Sequence, residues 1–380
     1  MRKRLTRTQD GRTVQTALVY TQEDHGVNPD YLDFDAVKAV RRLQRHGFEA
    51  YIVGGAVRDL LLGKQPKDFD VATSATPTQV KKLFRNSRII GKRFRLVHLL
   101  YRDKVIEVST FRSQDSQGFR NVYGSLEEDV RRRDFSANAL FLNPQDNTIV
   151  DFVSGVKDIH GKTLQPVIPL NVIFQEDPVR ILRALKYAMA GQFRIPWRVR
   201  RRMKRDSGLL AQIPASRMTE ELFKILNSGV ARPIVEGLLN MQAFQFLVPR
   251  AASLAHQNRD YRQKFLARLG ALDEIHHQSG PQERIILLVH LCADYLLEFG
   301  PFHDQQRIPY NDAWRGVKEF LQPITPANKE VEGALKEIFR NKGRLLREEP
   351  REDGEGSRRR PRRRRRGPRK VERTETPPAH

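Results

Sequence analysis

Two aspartates stand two residues apart in KDFDVAT, Asp68 and Asp70, thirteen to sixteen residues after a glycine pair, Gly54 and Gly55, in IVGGAVRD. Their types suit chemistry on a phosphate. On a strand, side chains alternate, so both carboxylates face one way while Phe69 and Val71 face the other, into a core. Two anions held side by side raise each other's pKa unless a cation sits between them, and clustered hard oxygens favour Mg²⁺. A solvated strand end is the plain alternative for such a pair. Glu107 in KVIEVSTF is a lone carboxylate among apolar residues, costly to bury without a partner. If its strand lies beside the DFD strand, three carboxylates converge in a geometry suited to two-metal phosphoryl transfer. A salt-bridged edge residue is the alternative. The glycines, between a strand and a helix, would let backbone N–H groups approach a phosphate, and Arg58, one turn on, would add charge. A bare turn, and a surface pair of Arg58 with Asp59, explain the same residues without chemistry.

The elements that must position these residues follow from the pattern. Leu32, Ala36, Val40 and Leu43 recur at helical spacing, with Gly47 as a stop. EAYIVGG reads as a strand, VRDLLLG as a short helix, KDFDVAT as a strand. TPTQVKKLF starts a helix with Thr76 as N-cap and Pro77 at the first position. FRLVHLLY and KVIEVSTF read as a hairpin turning at Arg102-Asp103. Residues 113–125, SQDSQGFRNVYGS, read as a flexible loop. A helical stretch covers 126–142, and TIVDFV is a strand ending at a Ser154-Gly155 turn. From about residue 175 to 345 the pattern is helical. The fold class is thus an α/β head, a mixed sheet with helices, followed by an all-α body.

The 380-residue chain carries a net charge of +23, which points to a polyanion, nucleic acid before membrane. Residues 358–370, RRRPRRRRRGPRK, hold ten basic residues in thirteen. Proline, glycine and like charge forbid a packed core there, so the tail reads as disordered. Arg358, Arg359, Arg360, Arg362, Arg363, Arg364, Arg365 and Arg366 would tether RNA without reading its sequence; a solubilising tail is the bland alternative. The single cysteine, Cys292, excludes a disulfide framework and a cysteine-rich zinc site and fits a reducing compartment. No apolar stretch reaches membrane-spanning length. The basic N-terminus lacks the apolar segment of a secretory signal, so the expected location is the cytoplasm, with no membrane partner.

The ordered blocks GGAVRDLLLGKQPKDFDVATSATP, EEDVRRRDFSANAL, VDFVSGVKDIHGKTL and FQEDPVRILRALKYA resemble the class II nucleotidyltransferases of the polymerase-β type, the family of bacterial poly(A) polymerases and tRNA CCA-adding enzymes. The resemblance covers roughly residues 32–230. It implies that Asp68 and Asp70 are the metal-binding catalytic aspartates, for Mg²⁺ or Mn²⁺, and that Glu107 is the third carboxylate. Gly54, Gly55 and Arg58 would hold the triphosphate of ATP. Asp134 would take a further active-site role, with Arg133, and less so Arg131 and Arg132, near the incoming nucleotide; a solvated helix face is the alternative for that run. The implied organisation is a flexible segment 1–31, the catalytic head 32–155, a base-recognition neck 156–235, an RNA-binding body 236–345 and the disordered Arg-rich tail 346–380.

Asp177, placed to cap a helix with Pro178 at its first position, and Arg180 on the same face read locally as a cap and a salt bridge. The resemblance instead makes them an amino-acid template. A carboxylate accepts from an exocyclic amino group and a guanidinium donates to the neighbouring ring nitrogen, a pairing that adenine and cytosine offer and guanine and uracil do not. The basic block with Lys92, Arg93 and Arg95 resembles the polymerases rather than the CCA-adding enzymes, and is expected to contact RNA; a basic hairpin strand is the alternative. The expected activity is addition of AMP from ATP to RNA 3′ ends with release of pyrophosphate, in mRNA polyadenylation and RNA decay. CCA addition to tRNA is the same-fold rival, and a non-catalytic RNA-binding protein is the rival of another class.

Overall fold

The computed structural model describes residues 2–7, 13–91, 95–113, 122–300, 307–341 and 345–347. Lys92, Arg93, most of the loop at 113–125 and all the arginines of 358–370 lie outside the described residues.

The described head is built on one mixed sheet of nine strands: β1 (Arg2–Arg7), β2 (Thr13–Tyr20), β3 (Ala50–Val53), β4 (Asp70–Thr73), β5 (Ser87–Ile90), β6 (Leu96–Leu100), β7 (Val105–Thr110), β8 (Leu140–Asn143) and β9 (Thr148–Asp151). Their order across the sheet is 1-2-9-8-3-4-7-6-5. Only β4 and β7 run parallel; the other neighbours are antiparallel. Alternation gives the sheet two buried faces. Ile52, Val71, Ile106 and Val108 join the main core, while Val53, Ala72, Phe111 and Phe141 form a second cluster on the opposite face. Each large apolar side chain removed from water contributes about 1.5–3 kcal/mol.

Local signals set the flanking elements. Asp33 caps the helix Phe34–Arg45 by accepting from the Ala36 N–H at 2.9 Å, and Ala36, Ala39, Val40 and Leu43 are its buried stripe. Thr76 and Gln79 form a capping box at Pro77–Leu83. Asp151, at the end of β9, accepts from the N–H groups of Val153, Gly155 and Val156, each at 3.0 Å, and so starts the helix Gly155–His160.

The N-terminal segment departs from expectation. It is not a free tail over its described part: β1 and β2 extend the sheet, with Leu18 opposite Asp151, and Ala17 is buried. Its charge conceals it, because basic residues are what an edge strand carries to discourage further pairing. The body is helical from Arg180 onward, but it also contains a short parallel pair, β10 (Arg307–Pro309) with β11 (Leu345–Arg347), so it is not purely α. The apolar run around Cys292 is a helix, Arg284–Asp294, that widens into a π-helical turn at Tyr295–Phe299. Burial pushes the Cys292 thiol up, so it stays protonated and apolar.

Candidate active site

Head and body enclose a cleft of about 1410 Å³. The chain reaches it by a short excursion. β3 ends at Val53, the chain turns at Gly54, runs through the helix Gly55–Leu61 and returns as β4, whose Asp70 pairs in register with Val53. This return sets the glycines beside the aspartates. Gly54 has φ +72°, a conformation that disfavours any side chain, and a Cβ there would point at Arg133 and Asp70.

Asp68 and Asp70 both line the cleft. β4 begins at Asp70, and Asp68 lies just before it. Phe69 and Val71 point away into the core, as alternation requires. Asp70 is open to water from the cleft yet hemmed in by protein. That partial burial, then Glu107, then Asp68, push its carboxyl up to about 6, against the pull of Arg133.

Asp70 and Glu107 are direct register partners on the parallel strands β4 and β7, the adjacency on which a carboxylate trio depends. The trio itself does not form. Glu107 is not among the cleft-lining residues; its carboxylate lies 3.3 Å from His98 on β6, its antiparallel partner. Glu107 therefore acts on Asp70 through its field, while its side chain faces His98.

Cations face the acidic pair. Arg58 donates to Asp59 at 2.9 Å and to the Asn138 side-chain oxygen at 2.8 Å, and lies over the Tyr187 ring. Arg133 donates to the Asn138 carbonyl at 3.0 Å and to Asp129, and lies over Phe141 at 4.7 Å. Buried Asn138 thus holds two cleft arginines at once. Arg132 donates to the Ser113 carbonyl and also lines the cleft, while Arg131 pairs with Glu127 at the surface. Asp134 is buried. Its Oδ1 accepts from the Phe135 N–H, and its Oδ2 faces Arg183 Nη2 at 2.9 Å without hydrogen-bond alignment. Burial opposes charge on Arg183, but Tyr187 and Asp134 outweigh it and hold the guanidinium firmly protonated. Asp134 lines the cleft with its Oδ2 turned to Arg183.

Asp177 and Arg180 line the same cleft; the Arg180 N–H donates to the Asp177 carbonyl at 3.0 Å, but their side chains do not pair. The helix begins at Arg180, so Asp177 stands before it and accepts from the Val179 N–H at 3.2 Å and from Arg217 at 2.7 Å. Arg180 donates through Nη1 to the Ile173 carbonyl and to Glu176, both at 2.9 Å. Both bonds use one nitrogen, so Nε and Nη2 have no partner among the described residues. Arg95 is exposed just ahead of β6 and does not line the cleft.

Sequence reasoning missed Asn138, Arg183, Tyr187 and Arg217. Arg183 had a weak signal, standing three residues after Arg180 on one helix. Arg217 had none, since it is forty residues from Asp177.

The donor set suits a hard divalent cation. Two carboxylates share the cleft floor, and beyond burial, the largest cause, the part of the upward shift of Asp70 that comes from Glu107 and Asp68 is repulsion that a cation relieves. Among the described residues no group of three or more His, Cys, Asp or Glu is gathered as a cage. That fits Mg²⁺, which takes one or two carboxylates and completes its shell with substrate phosphate and water.

A mixed sheet carrying an acidic pair beside a glycine turn, facing arginines across a cleft closed by a helical body, is the fold of the CCA-adding enzymes. Residues 50–165 match the family "Poly A polymerase head domain" and residues 192–254 match "Probable RNA and SrmB- binding site of polymerase A". Poly(A) polymerase I of Salmonella typhi is 39% identical over 258 residues, which is 64% of this chain and 56% of that protein. The CCA-adding enzyme of Bacillus pumilus is 34% identical over 218 residues, 56% of this chain and 54% of that protein. The crystal structure of Bacillus stearothermophilus CCA-adding enzyme in complex with CTP superposes with a TM-score of 0.54 at 26% identity, covering 80% of this chain and 82% of that one. The chain resembles bacterial poly(A) polymerases and CCA-adding enzymes, and spans a little over half the length of the curated relatives it matches. No helix among the described residues is long and apolar enough to cross a membrane.

Proposed function

We propose that this protein is a template-independent RNA adenylyltransferase, a poly(A) polymerase that extends RNA 3′ ends with AMP from ATP. One observation carries it: the acidic pair, the glycine turn, Arg58, Arg133 and the Asp177–Arg180 wall all line a single cleft. The RNA 3′-hydroxyl attacks the α-phosphorus, the α–β bond breaks, and pyrophosphate leaves. A divalent cation on Asp68 and Asp70 would lower the pKa of the hydroxyl and neutralise charge on the phosphates. Arg58 and Arg133, pinned on Asn138, give the triphosphate a preorganised cationic wall. Gly54 lets the phosphates approach the backbone. Asp134 keeps Arg183 charged and in place. Arg217 holds the Asp177 carboxylate, which still has lone pairs for an exocyclic amino group, while Arg180 keeps donors for the adjacent ring nitrogen. A base that reverses this polarity leaves both groups unpaired.

Adenine is favoured over a CCA sequence because the poly(A) polymerase relatives match at higher identity and over more of the chain than the CCA-adding ones. Primer extension tests this. Purified protein with Mg²⁺ receives an unstructured RNA, or a tRNA lacking its CCA end, with ATP, CTP or both. Long ladders from ATP alone on both RNAs are expected. Addition that stops after CCA, on the tRNA only, would assign CCA addition instead. The double variant Asp68→Ala, Asp70→Ala should lose incorporation by at least about a thousand-fold, while salt-sensitive RNA binding stays; comparable incorporation would remove both aspartates from the chemistry.

A further inference from the structure

Helix Trp197–Asp206, WRVRRRMKRD, is not part of the cleft. Val199, Met203 and Asp206 are its buried side. It is fastened there by Arg202, which donates to Asp206 at 2.5 Å and to the Asn171 carbonyl at 3.0 Å. The outward side is basic. Trp197, Arg201 and Lys204 follow one another at i, i+4 and i+7 along its midline, flanked by Arg198 and Arg205 on one side and Arg200 on the other.

Two observations set this face apart. First, its charge is not neutralised. Some exposed arginines elsewhere sit on carboxylates, as Arg131 does on Glu127, Arg250 on Glu319 and Arg284 on Glu220, and others, such as Arg45, Arg85 and Arg88, do not, but this helix gathers its unneutralised cations on one face. Arg198, Arg200, Arg201 and Lys204 have no acidic partner among the described residues, and Arg205 reaches Asp206 only at 3.9 Å. Second, Trp197 is 65% exposed at the start of the basic face. A merely solvated face has no use for an indole in water. The Arg198 guanidinium lies over that ring at 5.6 Å, which fixes the ring and leaves a flat surface for another planar group.

We propose that this helix is the outer track for the RNA strand, with a base stacked on Trp197 and successive phosphates laid along the arginines. The proposal rests on the adenylyltransferase reading, since a 3′ end in the cleft requires an upstream strand to leave it. The match over residues 192–254 attaches RNA to that region as a block; the structure assigns the face and the mode. Gln192 lines the cleft, and five residues of chain reach about 18 Å at most, so Trp197 stands near the rim. Ten helical residues span about 15 Å, enough for two or three nucleotides of extended strand. A row of unpaired cations beside an aromatic platform supplies the two contacts, phosphate attraction and base stacking, by which single strands are bound regardless of sequence.

The test uses the full chain, with Trp314→Phe so that Trp197 is the remaining tryptophan, and neither nucleotide nor metal. Titration with a short single-stranded oligoadenylate should quench Trp197 fluorescence. Trp197→Ala should weaken affinity about ten-fold. Arg198→Gln, Arg201→Gln and Arg205→Gln together should flatten the slope of log affinity against log salt by about 2, at ~0.7 per lost phosphate contact. All four side chains are exposed, so the variants should melt as the parent does. Binding through the arginines of 358–370 adds affinity without touching Trp197, so quenching separates the two. No quenching together with unchanged affinity in both variants would overturn the proposal. So would quenching by polyglutamate and not by RNA, which would give the face to an acidic protein segment. Because nothing is incorporated, a protein that binds RNA here but fails to add AMP would sink the proposed activity and leave this surface standing.

Discussion

Asp70 carries the tension of the site. Its carboxyl is pushed up to about 6 by partial burial and by Glu107 and Asp68, so at neutral pH the folded protein holds an anion that it disfavours. A carboxylate with a raised folded pKa lends stability only where it is protonated, at low pH, and loses it as pH rises through the ordinary carboxylate range toward the folded value. Asp70→Asn should therefore raise the Tm of metal-free protein at pH 7–8, and the gain should vanish below about pH 4, where both states of the parent are protonated. Mg²⁺ should stabilise the parent and leave the variant unmoved. Equal Mg²⁺ shifts in both proteins would place the ion elsewhere. Stability is thus given up at the residue proposed to do the chemistry, which is where a folded protein is expected to violate its own packing rules.

The excursion from Gly54 to Asp70 was legible in the sequence because every link in it is local. A β-branched run, a glycine pair, a short apolar helix and an alternating D-x-D each declare their conformation within a few residues, and the antiparallel return then forces Asp70 beside Val53 and Gly54. The parallel pairing of β4 with β7 was foreseeable only as a condition, while the hairpin turning at Arg102-Asp103 already implied that His98 stands opposite Glu107. The N-terminal strands escaped notice because edge strands are written in the same basic residues as tails. Asp177 shows the same limit within the body. Its position ahead of a helix was readable, but its partner comes from the helix Ala215–Leu226. That partner yields a prediction for the element it joins. Arg217→Ala frees the carboxylate to turn, so kcat/KM for ATP should fall about ten-fold, mainly through KM. Rejection of GTP and UTP should weaken alongside, and Arg217→Lys should restore part of both. An unchanged KM with a lower kcat would mean that Asp177 is not part of the base wall.

At the scale of the whole molecule, two lysines of the head reach the body beside the cleft. Lys64 donates to the Ala190 carbonyl at 2.8 Å, and Lys67, one residue before Asp68, lies 3.1 Å from His276 Nε2 across 209 residues of sequence. The proton arrangement follows from the neighbours. Asn227 Oδ1 accepts from the Gln282 N–H and lies 3.3 Å from His276 Nδ1, so Nδ1 carries the proton and Nε2 accepts from the lysine. Burial, then Lys67, then His277 hold the His276 pKa below its ordinary value, against the pull of Asp273. A histidine with a depressed folded pKa supports the fold when neutral and loses that support as pH falls through the depressed value. On acidification the ring becomes a cation facing an ammonium, and the segment carrying Asp68 loses its tie to the body. Amide exchange over residues 64–69, corrected for the intrinsic pH dependence, should therefore accelerate in the parent as pH drops below the usual imidazole range. In His276→Gln, whose side-chain oxygen accepts from Lys67 at any pH, it should stay level. Asp70 also gains its proton on acidification, and it is present in both proteins. An identical acceleration in parent and variant would move the pH response from the contact between head and body to the carboxylate at the cleft floor.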